Sequence, residues 1–359
     1  MREKLKEILR RLCLSPGVSG FEDEVRKEIL NIAKDLNVKA EVNVDNLGNL
    51  ILTIGSAGPS VAIMAHMDEI GIVVRYIDDN GFLGIDAVGG IDVRTIIGKS
   101  VMIYGRETTV HGVICVKPIH LLSEDERKKI PDIRSLFVDI GASNKDEASK
   151  LVRIGDVGHI VKTFRELTAN KEDIISCGAL DDRAGCAALL MAASLIREKD
   201  LECKLHLVFT VQEEVGARGS RVAAYNLKPD VAIAVDVTHA VGYPDLQPKD
   251  FTDVQLGKGT VIEYGPPINW RLARFLMDLA EEKKIRYQAS YLRGRTGTDI
   301  DEAQIARSGA IASVISIPLR YMHTPVETVS LSDLEATVNL IVEFVRRFNE
   351  EVYKELKPR

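Results

Sequence analysis

Apolar positions recur every three or four residues over 5–12 and again over 22–36, the period of a helix with one buried face. Ser19, with Glu22 three residues on, reads as a capping box for the second of these helices. The pattern then changes to apolar runs of strand length at 47–54 and 60–65. From about residue 71 to 161 the chain breaks into short β-rich pieces at 72–76, 100–104, 110–116 and 137–140, separated by glycines as turns require. A helical period returns there only at 143–150. Beyond residue 179 the two periods alternate: helix 184–196, strand 204–211, strand 231–235, helix 269–283, strand 312–317 and helix 332–353. Such alternation predicts an α/β sheet covered by helices on both faces. The β-rich stretch reads as a second domain inserted at 70–162, which leaves the α/β domain discontinuous, at 1–69 and 163–359.

Composition narrows the class. The chain has 359 residues, 45% hydrophobic and 28% charged, as an ordinary globular protein has. Its formal net charge is -6 and no basic face stands out, which argues against a nucleic-acid partner. No apolar run reaches the ~18 residues of a membrane span, and Met1 to Lys6 opens an amphipathic helix without the apolar core of a signal peptide. The five cysteines are scattered and never form Cys-x-x-Cys, so they read as reduced thiols of a cytoplasmic protein and not as zinc ligands.

The candidate chemistry lies where apolar runs end. One run ends at His66 with Asp68 two residues on, another at Glu213-Glu214, a third at Asp236, and a fourth leads through a short loop to His323. Asp181-Asp182 precedes a helix. Open α/β sheets bind ligands beyond the carboxyl ends of their strands, so these residues would converge on one crevice. A single histidine at a strand end says little, and a Glu-Glu pair is usually solvated. Their joint occurrence points to a pair of divalent ions held by nitrogen and oxygen donors. Such a site needs a bridging carboxylate, terminal ligands on each ion, a bridging water and a general base that is not a ligand. Spacing leaves Asp181 and Asp182 equal candidates for the bridge. Asp68 is near enough in sequence to accept a hydrogen bond from the far nitrogen of His66.

Four motifs occur in order: Ala65-His66-Met67-Asp68-Glu69-Ile70-Gly71, Ala179-Leu180-Asp181-Asp182-Arg183, Val211-Gln212-Glu213-Glu214-Val215-Gly216 and Tyr321-Met322-His323-Thr324-Pro325-Val326-Glu327. Together they resemble the signature of the glutamyl-aminopeptidase, or tetrahedral (TET) aminopeptidase, family, over nearly the whole chain. The resemblance implies a zinc-peptidase-like three-layer α/β domain with an inserted small β-barrel that dimerises. It makes the chain a metal-dependent aminopeptidase that removes N-terminal residues from short peptides by way of a metal-bridging hydroxide. It assigns two Zn2+ or Co2+ ions per subunit. Asp181 would bridge them and be joined to Asp182 by a cis peptide. His66 and Asp236 would complete one ion's shell, and Glu214 and His323 the other's. Glu213 would be the general base and Asp68 would orient His66. Dimers would assemble into a hollow homo-dodecamer.

Where relatives carry a Gly-Gly-Thr-Asp loop near the substrate pocket, this chain has Arg293-Gly294-Arg295-Thr296-Gly297-Thr298-Asp299. Thr298, Asp299 and Arg295 are therefore candidate substrate contacts, and the two arginines suggest acidic side chains in the pocket. Of the remaining histidines, His206 reads as packed within a strand, and His239 is placed to line the site. Two other readings compete. An endoglucanase-like glycoside hydrolase needs two carboxylates flanking a sugar bond and no metal, and leaves two histidines at strand ends unexplained. A dimetal deacylase would share the α/β domain.

Overall fold

A computed structural model describes residues 1–167, 174–244, 246 and 252–358. Its centre is an eight-stranded sheet in the order Glu41–Val44, Leu50–Ile54, Lys204–Thr210, Ser60–His66, Val231–His239, Ile311–Leu319, Thr260–Tyr264 and Tyr287–Tyr291. The four strands from Lys204–Thr210 to Ile311–Leu319 run parallel. They are buried almost throughout. That explains their continuous apolar sequence, since both faces of the sheet are covered.

Helix Leu180–Leu195 lies against strands Ser60–His66 and Val231–His239 and is itself covered by helices Arg2–Leu14 and Leu331–Arg347. It is buried on nearly every side and built from small residues, Ala184, Gly185, Ala187 and Ala188 among them, which allow neighbours on all faces. Helix Trp270–Glu282 packs near the other edge, its first turn capped by Asn269 Oδ1 accepting from the amides of Arg271 and Leu272.

The β-rich stretch folds as a closed barrel of six strands, Gly71–Ile77, Leu83–Val88, Phe137–Asp139, Thr109–Cys115, Ser100–Tyr104 and Val157–Ile160. Its own core contains Ile72, Val74, Leu83, Ile85, Val101, Ile103, Ile114 and Val138. A third, small sheet joins Arg165–Leu167, Ile174–Cys177 and Glu327–Ser330.

Several elements differ from the sequence reading. Helix Asp23–Asp35 has Glu22 in its cap position with no side-chain cap bond, so the capping box is not formed. Both of its members are engaged by the site instead. Ser19 Oγ donates to Asp68 Oδ2 at 2.6 Å, and Glu22 Oε1 accepts from the amides of Gly20 and Gln212. The helix expected at 332–353 is two, Leu331–Arg347 and Glu350–Leu356. Phe348 stays buried with an extended backbone, and Asn349 caps the second helix. Strands Leu83–Val88, Val157–Ile160 and Thr260–Tyr264 and the small sheet carry no clear period and escaped the sequence reading.

Candidate metal centre

Parallel strands end together, and that brings the polar residues together. Thr210 is in register with His66, and Asp236 with Ser316. His66 Nε2 lies 3.1 Å from Asp181 Oδ1 and 4.0 Å from Asp236 Oδ1. His323 Nε2 lies 3.4 Å from Asp181 Oδ2 and 3.5 Å from Glu214 Oε2. One oxygen of Asp181 therefore faces each histidine. Glu213 lines the same crevice of about 440 Å³ with these residues. Two sets of potential ligand atoms lie within 4.8 Å of one another, His66 with Asp181 and Glu214, and His66 with Asp182 and Asp236. The peptide bond between Asp181 and Asp182 is cis.

The supporting contacts were only partly legible in the sequence. His66 Nδ1 is hydrogen-bonded at 3.2 Å to the backbone carbonyl of Asp68, while the Asp68 carboxylate is 3.6 Å away. That carboxylate holds the neighbouring loop, accepting from the amides of Glu213 and Glu214. Glu327 accepts from the backbone amides of both Asp181 and His323, at 3.2 and 2.8 Å. The carbonyl of Gly90, on the loop leaving barrel strand Leu83–Val88, takes His323 Nδ1 at 2.7 Å. This directs Nε2 at Asp181 and Glu214. A Cβ at Gly90 would stand 2.8 Å from His323 Nδ1, so the close approach requires glycine. Glu327 sits in one of the quoted motifs. Gly90 belongs to none, and only the three-dimensional approach of the barrel reveals it. Below the crevice, Glu69 accepts from Lys162 Nζ at 2.7 and 2.8 Å, with Arg183 Nη2 at 3.5 Å, a buried charge cluster between the Asp68 and Asp181 segments.

Electrostatics set this crevice apart from a folded surface of acids. Burial pushes Glu213 and Glu214 up to about 8, with neighbouring carboxylates adding to it. Burial, and then nearby carboxylates, likewise raise Asp182 and Asp236 well above the usual range. Asp182 Oδ1 accepts from the Gly185 amide, while its buried Oδ2 has no partner. Burial also opposes charge on Asp181, but His323 and His66 overcome it and hold its carboxyl low. Asp181 in turn lifts His323 to about 9. Negative charge is thus crowded around two imidazoles with too little countercharge.

The remaining candidates fall around the crevice. Thr298 is buried in its wall, its hydroxyl 2.9 Å from that of Thr296. Asp299 is buried behind the wall, tied to Thr210 Oγ1 at 2.5 Å. Arg295 is 79% exposed, 3.2 Å from Asp301, at the mouth of an adjoining cavity. His239 lines both the crevice and that cavity. All five cysteines are free. Among the described residues no helix is long and apolar enough to cross a membrane.

His159 and His206 are buried away from the metal centre, one bonded to Tyr104 Oη and the other to Thr53 Oγ1. Burial lowers each to about 4. The unfolded chain takes up these two protons near pH 6.5, whereas the folded chain takes them up only near 4. The stability that these two histidines contribute is therefore expected to be fully present above about pH 6.5 and to be lost as the pH drops towards 4. Replacing either histidine by asparagine should flatten the pH dependence of the urea midpoint over that window. An unchanged slope in both variants would contradict the assignment.

Known proteins bear on this geometry. Residues 48–340 match the family model for M42 glutamyl aminopeptidase. Lysyl aminopeptidase of Pyrococcus furiosus is 38% identical over 340 residues, covering 93% of this chain and 94% of that one. The TET aminopeptidase of a marine sediment Thaumarchaeota archaeon superposes with a TM-score of 0.92 at 31% identity, over 99% of each chain. The Pyrococcus horikoshii TET1 peptidase, which can assemble into a tetrahedron or a large octahedral shell, gives 0.83 at 34% identity, over 96% of this chain and 100% of that one.

Proposed function

We propose a two-metal hydrolysis from one premise: this chain belongs to the M42 glutamyl aminopeptidase family and is an aminopeptidase. The observation that carries the proposal is Asp181, whose two carboxylate oxygens face His66 and His323 separately. His66 and Asp236 would complete one shell, with the Asp182 carboxylate beside them. Glu214 and His323 would complete the other. The residues present suit such ions. Crowded buried carboxylates, an unpartnered Asp182 oxygen and two oriented imidazoles are the donor set of zinc or cobalt.

Bound divalent ions would acidify a water and polarise the peptide carbonyl. Glu213, which belongs to neither ligand set, takes the proton from the attacking water and delivers it to the departing amine. Asp68 holds Glu213 in place through its amide. Substrates are short peptides entering with a free amino terminus. Glycoside chemistry gives no role to two histidines among the carboxylates. Chromogenic aminoacyl amides test the reading. Turnover should vanish after chelation and dialysis and return with zinc or cobalt alone, and full activity in metal-free protein would overturn it.

The barrel is assigned to dimer formation within a larger homo-oligomer, as tetrahedral assembly of the Pyrococcus horikoshii relative suggests. Ile119, Leu121 and Ile130, each more than 60% exposed on the barrel's longest connection, are apolar residues available for such a contact. Light scattering should report a dimer or a multiple of it; a monomer at micromolar concentration would contradict the assignment. Kinship does not choose the substrate, because the family's name specifies glutamyl and the Pyrococcus furiosus relative's name lysyl residues.

A further inference from the structure

Beside the metal crevice lies a second cavity of about 370 Å³. Thr238, His239 and Thr296 line both, so the two adjoin along one wall. The cavity lies within the size range of sites for small-molecule groups and is far larger than a water. Glu263 lines it and is only 2% exposed. Its Oε2 is fully buried and has no hydrogen-bond partner. Thr238 stands two residues beyond Asp236 on one strand, so the two share a face of the sheet.

We propose that Glu263 selects a basic side chain, lysine or arginine, on the residue that the enzyme removes. The inference rests on the aminopeptidase reading above: a peptide with its first carbonyl in the crevice would extend its first side chain past Thr238, His239 and Thr296 into this cavity. A buried carboxylate with an unpartnered oxygen is costly until a cation or a donor meets it. Hydroxyls of Ser290, Ser316 and Thr238 stand near enough to Glu263 to favour its charged form, but none makes a hydrogen bond to Oε2, and burial outweighs them and raises its pKa. An ammonium or guanidinium seated there removes that penalty. An uncharged side chain of the same length would leave it in place.

Arg293 and Arg295 also border the cavity and favour acidic side chains, but both are exposed, and Arg295 is paired with Asp301. Water screens charges at a rim far more than it screens a carboxylate that is only 2% exposed in a cavity wall. The interior charge therefore sets the preference, in place of the acidic preference suggested by the arginines alone.

The test compares lysine and norleucine p-nitroanilides, which differ by the terminal charge, beside leucine and glutamate amides. The metal-replete enzyme should prefer lysine over norleucine by on the order of 100-fold in kcat/KM. Glu263→Gln should bring that ratio to within about threefold of unity, with its melting curve and metal content recorded to show that it is folded. A folded Glu263→Gln that keeps the lysine preference overturns the role of Glu263, and a wild-type enzyme without that preference overturns the proposal with no variant needed. Turnover of the leucine amide reports the hydrolytic reading separately, and calorimetric titration with free lysine and norleucine reads the cavity without turnover. Equal binding and equal turnover of the two overturn the proposal. So does a preference for glutamate, or a basic preference confined to the second residue of dipeptides.

Discussion

Glu213→Gln is expected to lower kcat by roughly a thousandfold while leaving metal content unchanged. The glutamine keeps the shape of the side chain and the hydrogen bond that the backbone amide donates to Asp68 Oδ1, and removes only the ability to take a proton. Glu213 lines the crevice beside Asp181 and Glu214 but belongs to neither histidine-centred ligand set, so both ions should remain. Its burial fits the task, because a carboxyl held above its ordinary range accepts a proton readily near neutral pH. KM should change little, since the loss falls on the step that moves the proton. A metal-replete variant with full turnover would contradict the assignment of the base.

Asp181→Asn should be at least as damaging, for a different reason. Among the described residues, Asp181 is the one carboxylate with an oxygen directed at each histidine. Asparagine keeps one oxygen and places an amide nitrogen at the other position, where it cannot serve as a ligand. Metal affinity is expected to fall by more than about 100-fold, and activity with it. Asp182→Asn is the informative comparison. Asp182 joins the set with His66 and Asp236 but not the set with Glu214, so its loss should weaken one ion's site and spare the other. If Asp182→Asn proved more harmful than Asp181→Asn, the bridging role would belong to Asp182.

The residues that meet in this crevice could be picked out before the fold was known, because strand ends are marked by an apolar run followed by a histidine or an acid. His66, Asp236 and Glu213-Glu214 are cases of this, and the parallel register does the rest. What was not legible depends on long-range approach. Gly90 reaches His323 only because the barrel's Leu83–Val88 hairpin folds onto the sheet domain, and nothing local to Gly90 signals it. Glu263 lies on a strand flanked by antiparallel and parallel neighbours, with an unbroken buried run that has no period. The Ser19–Glu22 cap failed because Asp68 and the amides of the Gln212 loop offered better partners than a helix terminus. The last helix broke at Phe348 although its apolar spacing continues, because Asn349 can restart a helix where spacing alone sees no gap.

The central claim is that one crevice holds two ions through Asp181. Elemental analysis of the protein after dialysis against zinc and removal of free metal tests it most directly. Two zinc ions per chain, falling to one or none in Asp181→Asn, is the predicted result. A single ion per chain in the unaltered protein, or two ions retained by Asp181→Asn, would contradict it.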